Sequence, residues 1–160
     1  MLDSDSAGRL VAIHVAHHAG APMESREAAV AVEGRGLEGD RYHTATGHWS
    51  PIRRSGDGLT IVDGDVIDRV SRAHELGLGP GDTRRNLTSR GIDLDAAIGR
   101  RLAIGPVEVR VVRRCEPCSY LDGLLGRDVL PHLVHLAGVR VDVLRGGTLR
   151  VGDVISVLDD

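Results

Sequence analysis

The 21 glycines of this 160-residue chain limit its fold more than any other feature of the sequence. Many stand beside Asp or a second Gly, where turns form readily, so the chain is cut into short pieces that favour strands over long helices. Between the turns lie brief runs of branched aliphatic residues: Leu10 to Val15 (LVAIHV), Ala28 to Val32 (AAVAV), Leu59 to Val62 (LTIV), Leu102 to Ile104, Val107 to Val112, Val139 to Leu144, Thr148 to Val151 and Val154 to Leu158. Each predicts a strand, the last three forming a meander, and Arg84 to Thr88 follows a Gly-Pro-Gly turn as a further short segment. Asp65 to Leu76 predicts a helix with Val66, Ile67, Val70 and His74 on one stripe and Gly77 as its stop. Between Ser119 and Ala137 the pattern DGLLGRDVLPHLVHLA predicts one or two short helices, the second capped by Asp128 with Pro131 in its first turn.

Two stretches read as loops: HHAGAPMESRE, residues 17–27, and the long irregular run from Arg35 to Ser55 that holds His43, His48 and Trp49. A loop of the second length inside a compact domain is usually functional or disordered. With strands far outnumbering helices, a closed or nearly closed β-barrel is the economical solution, since closure removes exposed sheet edges. The expectation is a single mainly β domain over residues 1–160, with its core at about residues 8–158 and two or three short peripheral helices. Phe is absent and Trp49, Tyr42 and Tyr120 are the only aromatics among Phe, Trp and Tyr, so the core must be aliphatic.

Charge narrows the partners. The 20 basic residues, all Arg, against 23 acidic ones give a net charge of −3, with no basic tract, which is a poor match to nucleic acid or an anionic membrane. No apolar run approaches the ~20 residues of a bilayer helix. The opening MLDSDSAG is acidic and polar where an export signal needs a basic start and an apolar stretch, so a cytoplasmic location is expected.

Several residues could carry chemistry. Cys115 and Cys118 form the C-x-x-C of RRCEPCSY, directly after Arg113 and Arg114. A neighbouring guanidinium favours thiolate, the form that attacks electrophiles and binds soft metals. A zinc site, a thioredoxin-like redox pair, two buried cysteines acting as small hydrophobes and a single functional thiolate are the competing readings. Arg41, in GLEGDRYH, either projects from a loop toward an anion or makes a surface ion pair with Asp40 or Glu38. Arg84, Arg85 and Asn86 form a second polar cluster, at a strand start. His17 and His18 could donate to an anion or lie in solvent; His43 and His48 could be ligands, acid/base groups or neither. His132 and His135, at i and i+3 of a short helix, are expected to share a face. Trp49 reads as a lid or cap residue and Asp153 as a turn residue.

In order, LVAIHVAHHAGAPM, GLEGDRYH, LTIVDGDVID, TRRNLTSRGIDLDAAIGRRLAIGPVEVRVVRRCEPC and GGTLRVGDVISVL resemble a MOSC domain, named for the C-terminal domain of molybdenum cofactor sulfurases. The specificity lies in order and spacing: G-D-R, then R-x-N-L before G-I-D-L, a late P-C, and G-G-x-x-x-V-G-D. The likeness runs from about Gly8 to Leu158 and is nearest to small stand-alone bacterial members. It implies a strand-rich barrel-like fold, a molybdenum pyranopterin cofactor and reduction of N-hydroxylated substrates. By position in the motifs, Cys118 matches the thiolate that ligates molybdenum, Arg41 an arginine that grips the cofactor's phosphate, and Arg84 and Asn86 a polar pair at the pterin end. Where the amidoxime-reducing relatives place Lys-Ser after the first strand to hold phosphate, this chain has His17 and His18. Cys115 has no role to transfer. The sequence contains no pyridoxal-dependent desulfurase region, no extra N-terminal barrel domain and no iron–sulfur or flavin module. Separate electron-donor proteins are therefore expected as partners of a reductase, with protons from water or a group such as His43. The alternative implied by the same resemblance is a cofactor or sulfur carrier, loaded by a cysteine desulfurase as a persulfide on Cys118.

Overall fold

The computed structural model describes residues 7–44, 55–117, 123, 125 and 129–159. Its strands are β1 (Ala7–Val15), β2 (Glu24–Arg26), β3 (Ala28–Val32), β4 (Gly36–Leu37), β5 (Leu59–Asp63), β6 (Leu87–Arg90), β7 (Arg101–Ile104), β8 (Val107–Arg114), β9 (Val139–Arg145), β10 (Gly147–Arg150) and β11 (Val154–Leu158). The helices among these residues are α1 (Arg41–Thr44), α2 (Gly64–Ala73) and α3 (Leu130–Leu133).

Period-two alternation builds the barrel. Along β8, Val107, Val109 and Val111 are buried while Glu108, Arg110 and Val112 are half-buried. Repeated on β6, β7, β9 and β11 and joined by buried residues of β1 and β5, this places Leu10, Ile13, Leu59, Ile61, Leu87, Leu102, Ile104, Val141 and Ile155 in one aliphatic core. The strands run β1-β11-β7-β8-β9-β5-β6 and close as β6 pairs with β1. Seven is odd, so a barrel of this number cannot alternate direction all the way round. The one parallel junction is β5–β6, with Ile61 opposite Leu87. A parallel pair needs a crossover, and α2 supplies it.

α2 begins where Asp63 turns the chain: its Oδ1 accepts from the N–H groups of Asp65 (2.9 Å) and Val66 (3.4 Å). Ile67 and Val70 are buried with Val62, Val129, Leu133 and Ala137 in a second cluster on the outside of the barrel. Each such side chain contributes about 1.5–3 kcal/mol on full burial. The helix ends at Ala73, short of the expected Leu76, because Leu76 N–H bonds the Ser71 carbonyl (2.9 Å) and Leu78 N–H the Ser71 hydroxyl (2.9 Å).

The expected meander of the last three strands does not form. β9 already lies between β8 and β5, and β11 between β7 and β1, so neither has an edge to offer β10. β10 pairs instead with β3 in a small second sheet, β10-β3-β4, burying Leu149. Gly146 permits the exit, since a Cβ there would lie 2.5 Å from the Ala31 carbonyl oxygen. The stretch expected as loop over residues 17–27 contains β2, a polar three-residue strand paired with the end of β1. The long irregular run contributes β4 and α1; His48 and Trp49 lie outside the described residues. α3 carries Pro131 in its first turn as expected, but its N-cap is Val129, without a side-chain cap, and Asp128 is outside the described residues.

Candidate functional site

Three segments far apart in sequence meet at one end of the barrel. The first is the glycine-flanked turn of GLEGDRYH, where Asp40 is fully buried and Arg41 is 4% exposed. The surface ion pair expected as one reading of Arg41 is thus a buried one. Asp40 Oδ1 accepts from Arg41 Nη1 at 3.2 Å and from the Ala16 N–H at 3.0 Å, while the Arg41 N–H donates to the Ala16 carbonyl at 2.6 Å. The pair clamps the end of β1, and removal of one partner would leave a buried charge, which is strongly unfavourable.

The second segment is Arg84–Asn86, which stands before β6 rather than inside it. Arg84 has φ +61°, a left-handed conformation costing a non-glycine residue roughly 1–2 kcal/mol. Its N–H bonds the Gly81 carbonyl (2.9 Å), its Nη1 the Ala21 carbonyl (2.7 Å), and its own carbonyl accepts Arg41 Nη2 (3.1 Å). The loop after β1 is thereby held at Ala16 by the Asp40–Arg41 clamp and at Ala21 by Arg84. His17 and His18, exposed on that loop, contact Glu24 (2.7 Å) and the Ala19 carbonyl (3.0 Å) respectively.

Asn86 is fully buried and turned toward protein. Its Oδ1 accepts from Thr60 N–H (3.1 Å) and Thr60 Oγ1 (3.2 Å), its Nδ2 donates to the His14 carbonyl (3.2 Å), and its N–H donates to Thr60 Oγ1 (2.9 Å). It ties β1, β5 and β6 together.

Arg85 connects to the third segment. At 8% exposure it reaches across to the Ala137 carbonyl through Nε (2.8 Å) and to the Cys115 and Glu116 carbonyls through Nη2 (3.1 and 3.4 Å). Sequence reading grouped Arg85 with its neighbours without giving it a role. No pattern in the sequence marks it, since Arg85 precedes β6 and its neighbour Asn86, of opposite parity, is buried too. Cys115 is buried in the wall, as the small-hydrophobe reading has it, its N–H bonded to the Gly138 carbonyl (2.8 Å). Cys118 lies outside the described residues. The neighbouring charges expected from Arg113 and Arg114 are engaged elsewhere. Arg113 pairs with Asp57 (3.3 Å) and Arg114 with Asp95 (3.2 Å), past the irregularity in the β8–β9 ladder between Val111 and Arg113.

His132 and His135 do not share a helix face. α3 stops at Leu133, and His135 sits at φ +64° with its N–H and Nδ1 both on the Glu116 carboxylate, whereas His132 stacks on His74 at 4.2 Å. His43 is half-buried in α1. Asp153 is a turn residue as expected, accepting from the Arg150 N–H at 2.8 Å.

Sequence reading missed His14. The only signal was a polar residue inside an apolar strand run, with its neighbours Ile13 and Val15 in the core. It is 4% exposed under Gly81, with no hydrogen bond to Nδ1 among the described residues. Burial pulls its pKa below the ordinary 6.5, and Asp82 pushes weakly the other way. A depressed histidine binds protons more tightly unfolded than folded. Its stability penalty therefore sets in as pH falls through about 6.5, and is complete below its lower folded value. Urea melts should show the wild type losing more stability than His14→Leu between pH 7 and pH 5. Parallel pH profiles for the two chains would contradict this origin.

Comparison with known proteins agrees with this architecture. A model of the MOSC domain matches residues 58–156, a span that includes Arg84, Asn86 and Cys118 and leaves out Arg41, His17 and His18. No curated protein matches the chain. Among solved structures, YUAD from Bacillus subtilis is 16% identical with a TM-score of 0.77, over 94% of this chain and 95% of that one. YiiM from Geobacillus stearothermophilus is 14% identical with a TM-score of 0.72, over 95% and 75%. YiiM from Escherichia coli is 17% identical with a TM-score of 0.64, over 95% and 70%. At such identities the likeness is one of fold. The family model spans most of the chain, and the chain belongs to the MOSC domain family.

Proposed function

We propose that this domain holds a molybdenum pyranopterin cofactor at the barrel end where the Arg41, Arg84 and Arg85 segments meet, with Cys118 as a ligand of the metal, and that it reduces N-hydroxylated substrates. The observation that carries the reading is the convergence itself: Arg41 Nη2 lies on the Arg84 carbonyl, and the adjoining Arg85 lies on the Cys115 and Glu116 carbonyls. Guanidinium groups suit a phosphate-bearing anion, which they bind through paired, charge-assisted hydrogen bonds. A cysteine sulfur suits a soft metal. The left-handed Arg84 adds to this, since backbone strain of this kind clusters at binding sites.

Within this reading Asp40 fixes the Arg41 guanidinium, Arg41 would grip the phosphate, Arg84 would contact the pterin end, and Asn86 keeps β1, β5 and β6 in register beneath them. His17 and His18 stand on the loop those arginines frame and would donate to the same anion. The bound group would supply the two-electron chemistry by which an N–OH becomes N–H and water, with two protons from solvent and two electrons from a separate donor protein.

The test is elemental analysis for molybdenum and tungsten, with fluorescence detection of oxidised pterin, on protein from a cofactor-competent host beside Cys118→Ser. The expected result is stoichiometric metal and pterin in the wild type, and loss of metal and of N-hydroxylated substrate reduction in the folded variant. Metal-free wild-type protein, or a variant reducing substrate at the wild-type rate, overturns the reading. Metal-free protein carrying a persulfide on Cys118 after incubation with a desulfurase would replace it with sulfur carriage.

A further inference from the structure

Gly81 lies directly on the ring of His14. A Cβ built on Gly81 would stand 2.8 Å from the His14 Cδ2 and 3.0 Å from its Nε2, so bare backbone covers an imidazole that is 4% exposed. The covering turn belongs to the run G-L-G-P-G-D, residues 77–82, with Gly77 at φ +61° and Gly81 at φ +83°. Its bonds are local: Asp82 N–H to the Gly79 carbonyl (3.2 Å), Gly79 N–H to Asp82 Oδ2 (2.8 Å) and Arg84 N–H to the Gly81 carbonyl (2.9 Å). Beside it lies a cavity of about 250 Å³, lined by Val11, Ala12, Ile67, Leu78, Pro80 and Thr83. A turn with glycine hinges and room beside it can move while the barrel stays packed.

This turn leads into the proposed site. Arg84 hangs its N–H on the Gly81 carbonyl and offers its own carbonyl to Arg41 Nη2 (3.1 Å), so the seat of Gly81 fixes both arginines. We propose that His14 is a positioning residue for them: its neutral ring seats the 79–84 turn, and a proton on the ring lifts the turn and loosens Arg41. The inference rests on the proposed anion site, and it goes beyond that reading by giving the site a response to acid. A neutral imidazole carries one N–H, whereas the charged ring carries two and a full charge. Under Gly81 that second N–H and that charge meet water only if the turn rises. The charged residues of the segments packed around His14 are Asp82 and Arg84 in the turn, Glu24 and Arg26 in β2, and the Asp40–Arg41 pair at the end of β1, while Arg85 reaches away to the Ala137 carbonyl. Of these Asp82 acts on the ring and favours its charged form, against the stronger effect of burial.

Amide hydrogen exchange on the metal-free chain, corrected for the intrinsic effect of pH, tests this without any cofactor. The amides of Gly79, Asp82 and Arg84 report the turn, and that of Val111, bonded to the Arg100 carbonyl, reports the barrel. Between pH 7.5 and pH 5.5 protection of the turn amides should fall about fivefold, the scale set by a buried donor left without a partner. Low urea should leave that fall unchanged, since a local opening exposes little surface. His14→Leu should hold the protection constant, and Asp82→Asn should enlarge the fall, because Asp82 favours the charged ring in the closed turn. A merely structural histidine would take up its proton only on global unfolding, so that acid would affect urea-sensitive amides such as Val111 and leave the turn unresponsive. That result, or a turn that responds less in Asp82→Asn than in the wild type, overturns the proposal even if His14→Leu does not fold. An acid-opened turn in a chain that never acquires molybdenum would leave the role of His14 in place and remove the cofactor reading; bound molybdenum with an unresponsive turn would do the reverse.

Discussion

Gly138→Ala is expected to melt far below the wild type. Gly138 has φ +97°, and a Cβ built on it would lie 2.2 Å from the Ile61 carbonyl oxygen and 3.0 Å from the Val62 Cα. Both obstacles are backbone of β5, a strand pinned on its two sides by β6 and β9. Neither can retreat without opening the barrel. The same residue delivers the carbonyl that holds the Cys115 N–H and follows the Ala137 carbonyl that holds Arg85, so the damage reaches the proposed site. Conformational strain alone costs about 1–2 kcal/mol, and the clash lifts the total to about 4 kcal/mol or more. For a chain of this size that lowers the melting temperature by about 8–16 °C. Gly99→Ala is the control: φ is +87° there but open space surrounds it, so only the strain of about 1–2 kcal/mol remains. Equal melting temperatures for the two variants would show that the close approach to Ile61 does not limit this position.

Asn86→Ala is expected to cost about 3 kcal/mol, because it strips partners from the Thr60 N–H, the Thr60 hydroxyl and the His14 carbonyl in a fully buried place. The melting temperature should fall by about 6–12 °C. The resemblance to cofactor-binding relatives gives this asparagine a ligand contact, whereas the observed contacts make it a tie between strands. The two roles separate experimentally. A tie predicts a large loss of stability in the metal-free chain; a ligand contact predicts loss of cofactor at unchanged stability. A metal-free Asn86→Ala that melts with the wild type would refute the first.

The barrel was legible in the sequence because its signals are local. Glycine-bounded aliphatic runs and period-two alternation locate most of the strands, and the absence of Phe foretells an aliphatic core. Pairing was not legible at β10, whose partner is decided by which edges β9 and β11 have already given away. β2 escaped because Glu24–Arg26 carries no apolar residue and owes its extended form to the β1 edge beside it. In the site, the arginine-bearing motifs announced themselves by composition, and folding brings Arg41 and Arg84 into contact. Composition could not say that Arg113 and Arg114 spend their charge on Asp57 and Asp95 while Arg85 faces inward, since that depends on register. His14 escaped for the same reason, its burial coming from Gly81 across the fold.

The junction of β1 with β11, where Ala7 lies opposite Ser156 and Arg9 opposite Val154, also orders events during synthesis. A ribosome delivers β1 first among these strands and β11 last, so the barrel stays an unclosed, curled sheet until the final strand emerges. Through that interval the waiting rim of β1 is Ala-Gly-Arg, a stretch with a flexible residue at its centre and a cation beside it. Such a rim is a poor template for pairing with another nascent chain, and so guards one of the two ladders, with β1 and with β7, that wait for β11.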